Sequence, residues 1–198
     1  MGSKALRGRK NWQKASGKKG SKAELNFFEV LDNHFKKSDY AIRKKPKEFR
    51  DIYSQVELED ETLEQIYNPD ETWIHGIIPD YAIDNVKTKK TIYTEVKSQD
   101  GWVEGKTRKD GRGNVHERSN KYFTPGLQRI LREKGNIPDD VLPFWVVFQG
   151  DIARDPKRVR EISLWYEGIE SHFLLWHDST NPEQLLSHFE KHIKPLLD

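Results

Sequence analysis

The 198-residue chain contains no cysteine, which excludes disulfide staples and thiolate metal sites. Apolar residues are also scarce, at 34% against 33% charged. No run approaches the ~20 apolar residues needed to span a bilayer. The N-terminal segment is basic but lacks the apolar stretch of a secretory signal. These absences predict a soluble protein with no membrane association, kept in the cytoplasm. The apolar residues that are there are concentrated, with Trp145, Val146, Val147 and Phe148 forming one unbroken block. A chain of this length can close one domain around a real core.

The net charge is only +2, but its distribution is uneven. Residues 1–22 carry eight cations (Lys4, Arg7, Arg9, Lys10, Lys14, Lys18, Lys19, Lys22) and no acid, so the remainder sums to −6. We read 1–22 as a basic arm rich in Gly and Ser and 23–198 as a single domain. The arm suits phosphate contacts, or serves only as a solubilising tail; Trp12 favours the first. A second basic stretch (Arg43, Lys44, Lys45, Lys47, Arg50) precedes a segment, 51–71, with eight acids and no Lys or Arg.

Periodicity suggests the elements. Leu25, Phe28, Leu31 and Phe35 recur at three- and four-residue steps, predicting a helix over about 22–37. Leu58, Leu63, Ile66 and Tyr67 suggest some helix in the acidic segment, docked on the core. Residues 74–84 and 90–97 read as a strand pair, with turn chemistry at Asp84, Asn85 and Lys87. A Gly-rich polar loop follows over roughly 100–115, then a helix over about 117–134. Leu142 to Gly150, apolar on both faces, reads as a buried interior strand. Asp155-Pro156 and Asn181-Pro182 look like helix starts, with Pro at the first helical position. The helices they open would bury Val159 and Ile162, and Leu185, Leu186, Phe189 and Ile193. Phe173 to Trp176 is a further short strand. The sequence of elements is an α/β pattern.

Two clusters carry chemistry. In the first, Pro79-Asp80 is followed after fourteen residues by Glu95-Val96-Lys97. Residues two apart on a strand share a face, so Glu95 and Lys97 lie side by side while Val96 enters the core. The preceding antiparallel strand can bring Asp80 opposite them. Two carboxylates offer hard oxygen ligands for Mg²⁺, which also keeps waters and contacts a substrate phosphate. Lys97 would hold or help deprotonate an attacking water, which suits phosphodiester hydrolysis. The alternative is a Glu–Lys ion pair on a solvated sheet face.

The second cluster is Gly111-Arg-Gly-Asn-Val-His-Glu-Arg-Ser119. Arg112, Asn114, Glu117 and Arg118 are the side-chain types that read base edges in the major groove. Lys106, Lys109 and Lys121, with Arg108, could hold phosphates and fix register. The alternative is a charged loop that opens an ordinary helix.

Together with Gln99-Asp-Gly-Trp-Val-Glu-Gly-Lys106, Gly8-Arg-Lys-Asn-Trp-Gln13, Thr124-Pro-Gly-Leu127 and the stretch from Leu142 to Ile162, these motifs resemble the MunI-like type II restriction endonucleases. These belong to the EcoRI group of the PD-(D/E)xK nuclease superfamily. The likeness spans most of the chain. It implies a mixed five-stranded sheet flanked by helices, a homodimer around double-stranded B-DNA, and Mg²⁺-dependent hydrolysis leaving 5′-phosphates. Asp80, Glu95 and Lys97 fall on the group's catalytic positions, with Asp80 and Glu95 as metal ligands. Asn114, Glu117 and Arg118 fall on the segment that reads a central AATT, and Arg112 on the position assigned to the outer C·G pair. The implied site is CAATTG, cut after the outer C. A prokaryotic host and a cognate DNA methyltransferase go with such an enzyme. Val115 and Ser98 depart from the family pattern, where alanine and arginine are expected, and the acidic middle segment is divergent.

Other residues carry less. His188 and His192, four apart with no third ligand, read as a surface helix face. His116 is either a DNA contact or a helix-start residue. Trp145, Phe148, Trp165 and Trp176 read as core, while Arg154, Lys157, Arg158 and Arg160 are left unassigned between dimer and backbone contacts. Two rival functions stand beside restriction: a repair or recombination nuclease reading DNA structure, and a DNA-binding protein without catalysis.

Overall fold

The computed structural model describes residues 24–67, 73–101, 103–105 and 114–198. Its centre is a five-stranded mixed sheet in the order β1-β2-β3-β4-β5. The strands are β1 (Tyr40–Lys44), β2 (Tyr81–Asn85), β3 (Lys90–Ser98), β4 (Phe144–Gln149) and β5 (Phe173–Trp176). The first three pair antiparallel, and β3·β4 and β4·β5 pair parallel. This is the expected α/β architecture.

Alternation along the strands divides the core in two. Tyr81, Ile83, Ile92, Val96, Trp145 and Val147 face one side, where helix α1 (24–35) and the C-terminal helices cover them. On the other side Ala82, Tyr93, Phe144, Val146 and Phe148 meet Tyr122, α3 (Pro125–Gly135) and α4 (Pro156–Trp165). All six residues of β4 are buried because both faces are covered. Helix α1 buries Phe27, Leu31 and Phe35, with Phe28 partly buried, while Leu25 is exposed.

The structure corrects four readings. Residues 73–79 form no strand, and Ile74 and Ile78 are exposed. Pro79 contributes no amide hydrogen to a ladder, so β2 begins only at Tyr81. The lead-in is instead pinned by backbone bonds: Ile77 N donates to Phe49 O at 2.9 Å and Tyr53 N to His75 O at 3.1 Å. Gly76 is required there, since a Cβ would lie 2.0 Å from Phe49 O.

The helix expected over 117–134 is two elements. A 3₁₀ turn, His116–Phe123, is separated from α3 by Thr124. Pro125 disfavours the helical region for the residue before it, and Thr124 is extended at φ −75°, ψ 137°.

Among the described residues of the acidic segment there is one short helical turn, α2 (Asp60–Leu63), which itself buries no residue. Leu58, Leu63, Ile66 and Tyr67 are exposed, so the helical turn does not dock on the core; within the segment it is Ile52 that is buried there. Finally, His188 is not a surface residue. It closes α5 (Glu183–His188) by stacking on buried Trp145, with centroids 5.4 Å apart and planes at 2°. Beyond it the chain runs through a π turn, Phe189–Ile193, into α6 (Lys194–Leu197). Among the described residues, no helix is long and apolar enough to cross a membrane.

Candidate active site

The site forms where strand pairing changes. β2 and β3 are in register from Tyr81↔Thr94 down to Asn85↔Lys90, so Asp80 stands one step past the end, opposite Glu95. β3 continues alone beyond that point on its β2 side, while its other side follows β4 to Ser98. The Asp80 carboxylate fills the gap: its Oδ2 accepts the Val96 amide at 2.9 Å. Glu95 and Lys97 project from the same face of β3 as Tyr93, and Val96 enters the opposite core. The three residues singled out from the sequence therefore converge.

Lysines crowd the two buried carboxylates. Lys97 Nζ donates to Glu95 Oε2 and lies 3.7 Å from Asp80 Oδ2. Lys45, just past β1, donates to Asp80 Oδ1 at 2.5 Å and lies 3.2 Å from Glu24 Oε2. Its backbone amide also donates to Asp80 O at 2.9 Å, from a left-handed conformation at φ 47°. Tyr122 donates its hydroxyl to Glu95 Oε1, and Lys121 Nζ lies 3.7 Å from that oxygen.

These neighbours split the two acids. Burial opposes ionisation of Asp80, but the Lys97 charge, Lys45 and the Val96 amide outweigh it and hold its carboxyl below the usual range. Burial raises Glu95, with the charge of Asp80 adding and Lys97 only partly offsetting. Burial, then the charge of Glu95, pushes the Tyr122 hydroxyl up, so it stays a donor.

The donor set fits a divalent cation of the Mg²⁺ kind. Two adjoining carboxylates provide hard oxygens, and ammonium groups already stand against them where positive charge is needed. Among the described residues, no group of three or more His, Asp or Glu gathers as a protein cage. This suits an ion held by two carboxylates with water and substrate phosphate completing its shell.

The described part of the second cluster, residues 114–119, leads into the same sheet face through Val115 and Tyr122. The 3₁₀ turn has about three residues per revolution, so His116, Ser119 and Tyr122 fall in line, and all three are buried. Asn114, Glu117 and Arg118 are exposed. His116 is buried: it stacks on Trp165 (5.2 Å, 13°) and meets Glu161 at 3.0 Å through Nε2. Arg158, unassigned from the sequence, donates to Glu161 at 2.5 Å and reaches Asn114 Oδ1 at 3.4 Å. Lys106, Lys109 and Arg112, like the basic arm, lie outside the described residues.

Sequence reasoning missed Lys45 and Tyr122. Lys45 sat inside a run of five cations with nothing to distinguish it, and its role depends on β1 pairing with β2 at Lys44↔Tyr81. Tyr122 had no local signal, because its partner is 27 residues away.

A family model described as type II restriction enzyme MunI matches residues 1–198. Type II restriction enzyme MunI of Mycoplasma sp. is 46% identical over 202 residues, covering 100% of both chains. Among solved structures, MunI restriction endonuclease in complex with cognate DNA is 46% identical, with a TM-score of 0.80 over 95% of this chain and 98% of that one. The fold, the converging site and a match along the whole length agree: this chain belongs to the MunI family of type II restriction enzymes.

Proposed function

We propose that this enzyme hydrolyses double-stranded DNA at CAATTG, cutting after the outer C to leave 5′ AATT overhangs. It acts as a homodimer with Mg²⁺ as its ion. Family membership makes it a site-specific endonuclease with divalent-metal dependence and sets aside the two rival functions. The observation that carries the mechanism is the meeting of Asp80, Glu95 and Lys97 at the open end of the β2–β3 pair.

In this reading Asp80 and Glu95 hold the ion. Bound there, Mg²⁺ would polarise the scissile phosphate and lower the pKa of the attacking water. Lys97 Nζ orients that water by hydrogen bonding and offsets charge growing on the phosphate. Lys45 neutralises Asp80 and keeps it ionised. Asn114, Glu117 and Arg118 reach base edges of AATT from the exposed side of the 3₁₀ turn, and Arg112 reads the outer guanine. Lys106, Lys109 and Lys121 grip backbone phosphates, as do the cations of the arm, 1–22. Identical turns from two copies match the two halves of a palindrome. Such activity calls for a cognate methyltransferase in the same prokaryotic cytoplasm.

Sequencing the ends of phage DNA digested by the purified protein tests this reading. The expected ends all begin 5′-AATT and join to reconstitute CAATTG. Ends with another sequence would overturn the site, and ends of random sequence would overturn site-specific cutting itself.

A further inference from the structure

One short element touches both parts of the proposed machinery. The 3₁₀ turn follows exposed Asn114 and carries Glu117 and Arg118 on its outer side. At its far end Tyr122 donates to Glu95 Oε1. Between them the turn is fastened along one buried line: His116 packs beneath Trp165, and Ser119 Oγ donates to the His116 carbonyl at 2.7 Å. A buried line at three-residue spacing transmits displacement, because interiors are close-packed and side chains there have few alternative positions. The exposed residues and the hydroxyl that holds Glu95 thus sit on one packed element.

We infer that Tyr122 is a positioning residue that makes the orientation of Glu95 depend on how the base-reading turn is seated. With cognate bases the turn settles, and Tyr122 holds one oxygen of Glu95 while the other faces Lys97 and the ion. With a wrong base the turn sits displaced, the hydroxyl leaves Glu95, and the carboxylate loses its orientation. Hydrogen bonds to a ligating carboxylate commonly change metal affinity or activity by about 10–100-fold. Sequence preference is thereby imposed on the cutting step as well as on binding. The inference rests on the functional reading above.

The test is Tyr122→Phe, which removes the hydroxyl but keeps the ring packed on Phe144 (centroids 5.4 Å). Cleavage is compared at CAATTG and at sites with one inner base pair changed. The expected result is about a 10–100-fold slower cut at CAATTG with little change at altered sites, so the ratio of the two rates collapses by that factor. This ratio does not depend on the fraction of folded protein. A second readout needs no cleavage. Mn²⁺ affinity is measured by electron paramagnetic resonance on duplexes with a non-hydrolysable scissile linkage. The wild type should bind Mn²⁺ more tightly on the cognate than on the altered duplex, and Tyr122→Phe should lose that preference. Equal slowing at all sites, or an unchanged Mn²⁺ preference, overturns the inference. Failure of the wild type to cut CAATTG would instead overturn the functional reading.

Discussion

At the scale of single residues, the site stores opposed charges in close quarters. Asp80 and Glu95 are both buried, and Lys45, Lys97 and Lys121 stand within 3.7 Å of their oxygens. Removing one acid therefore leaves ammonium groups free to attract phosphate. Asp80→Ala should cut CAATTG more than about 10³-fold more slowly. It should still shift a CAATTG duplex in a gel in preference to an altered one, because the exposed turn is intact. Cleavage at the wild-type rate would remove Asp80 from the machinery. The Asp and the Glu-Val-Lys triplet were legible because strand alternation puts Glu95 and Lys97 on one face whatever the fold around them. Lys45 was not, because its place beside Asp80 is decided by the β1–β2 register.

At the scale of elements, local chemistry was read well where a short signal acts on its own neighbours. Asn181 shows this in part: the cap position is taken by Pro182, not Asn181, but Asn181 Oδ1 accepts the Glu183 amide at 2.9 Å, satisfying a first-turn donor of α5. Asn181→Ala should lower unfolding stability by about 1 kcal/mol in urea titration, with DNA cleavage unchanged. Asp155 shows the limit of such reasoning. It precedes α4 as expected, but no side-chain cap bond is made; its Oδ1 instead accepts the Glu104 amide at 2.8 Å. The helix expected over 117–134 failed for a related reason. One helix was expected there, whereas Pro125 breaks it and three-residue spacing of His116, Ser119 and Tyr122 governs the first half. Leu58, Leu63, Ile66 and Tyr67 misled in the opposite way, since their apolar character alone does not say whether a surface exists to receive them.

At the scale of the whole molecule, the two-sided core sets the response to acid. Burial of His188 against Trp145, with the charge of His192 adding, lowers its pKa from 6.5 to about 4. The unfolded chain thus binds more protons between those values, so this contribution is complete above about pH 6.5 and is lost as pH falls towards 4. The loss amounts to at most roughly 3 kcal/mol. His172 and His192 are lowered as well, each chiefly by burial, and act in the same direction. Urea titrations of wild type and His188→Phe from pH 7.5 to 4 should show the wild type losing stability faster on acidification. A difference between the two that stays constant with pH would remove His188 as the cause.

The sequence by itself determined the α/β class, most strand positions, the pairing of Glu95 with Lys97 and the resemblance that the full-length family match bears out. All of these depend on residue type and on spacing within one element or motif. Tertiary structure alone decided that Lys45 and Tyr122 close around the two acids, and that the 3₁₀ turn His116–Phe123 hangs from the carboxylate it neighbours. Those contacts join residues distant along the chain, and only the packing of both sheet faces brings such residues to a common point.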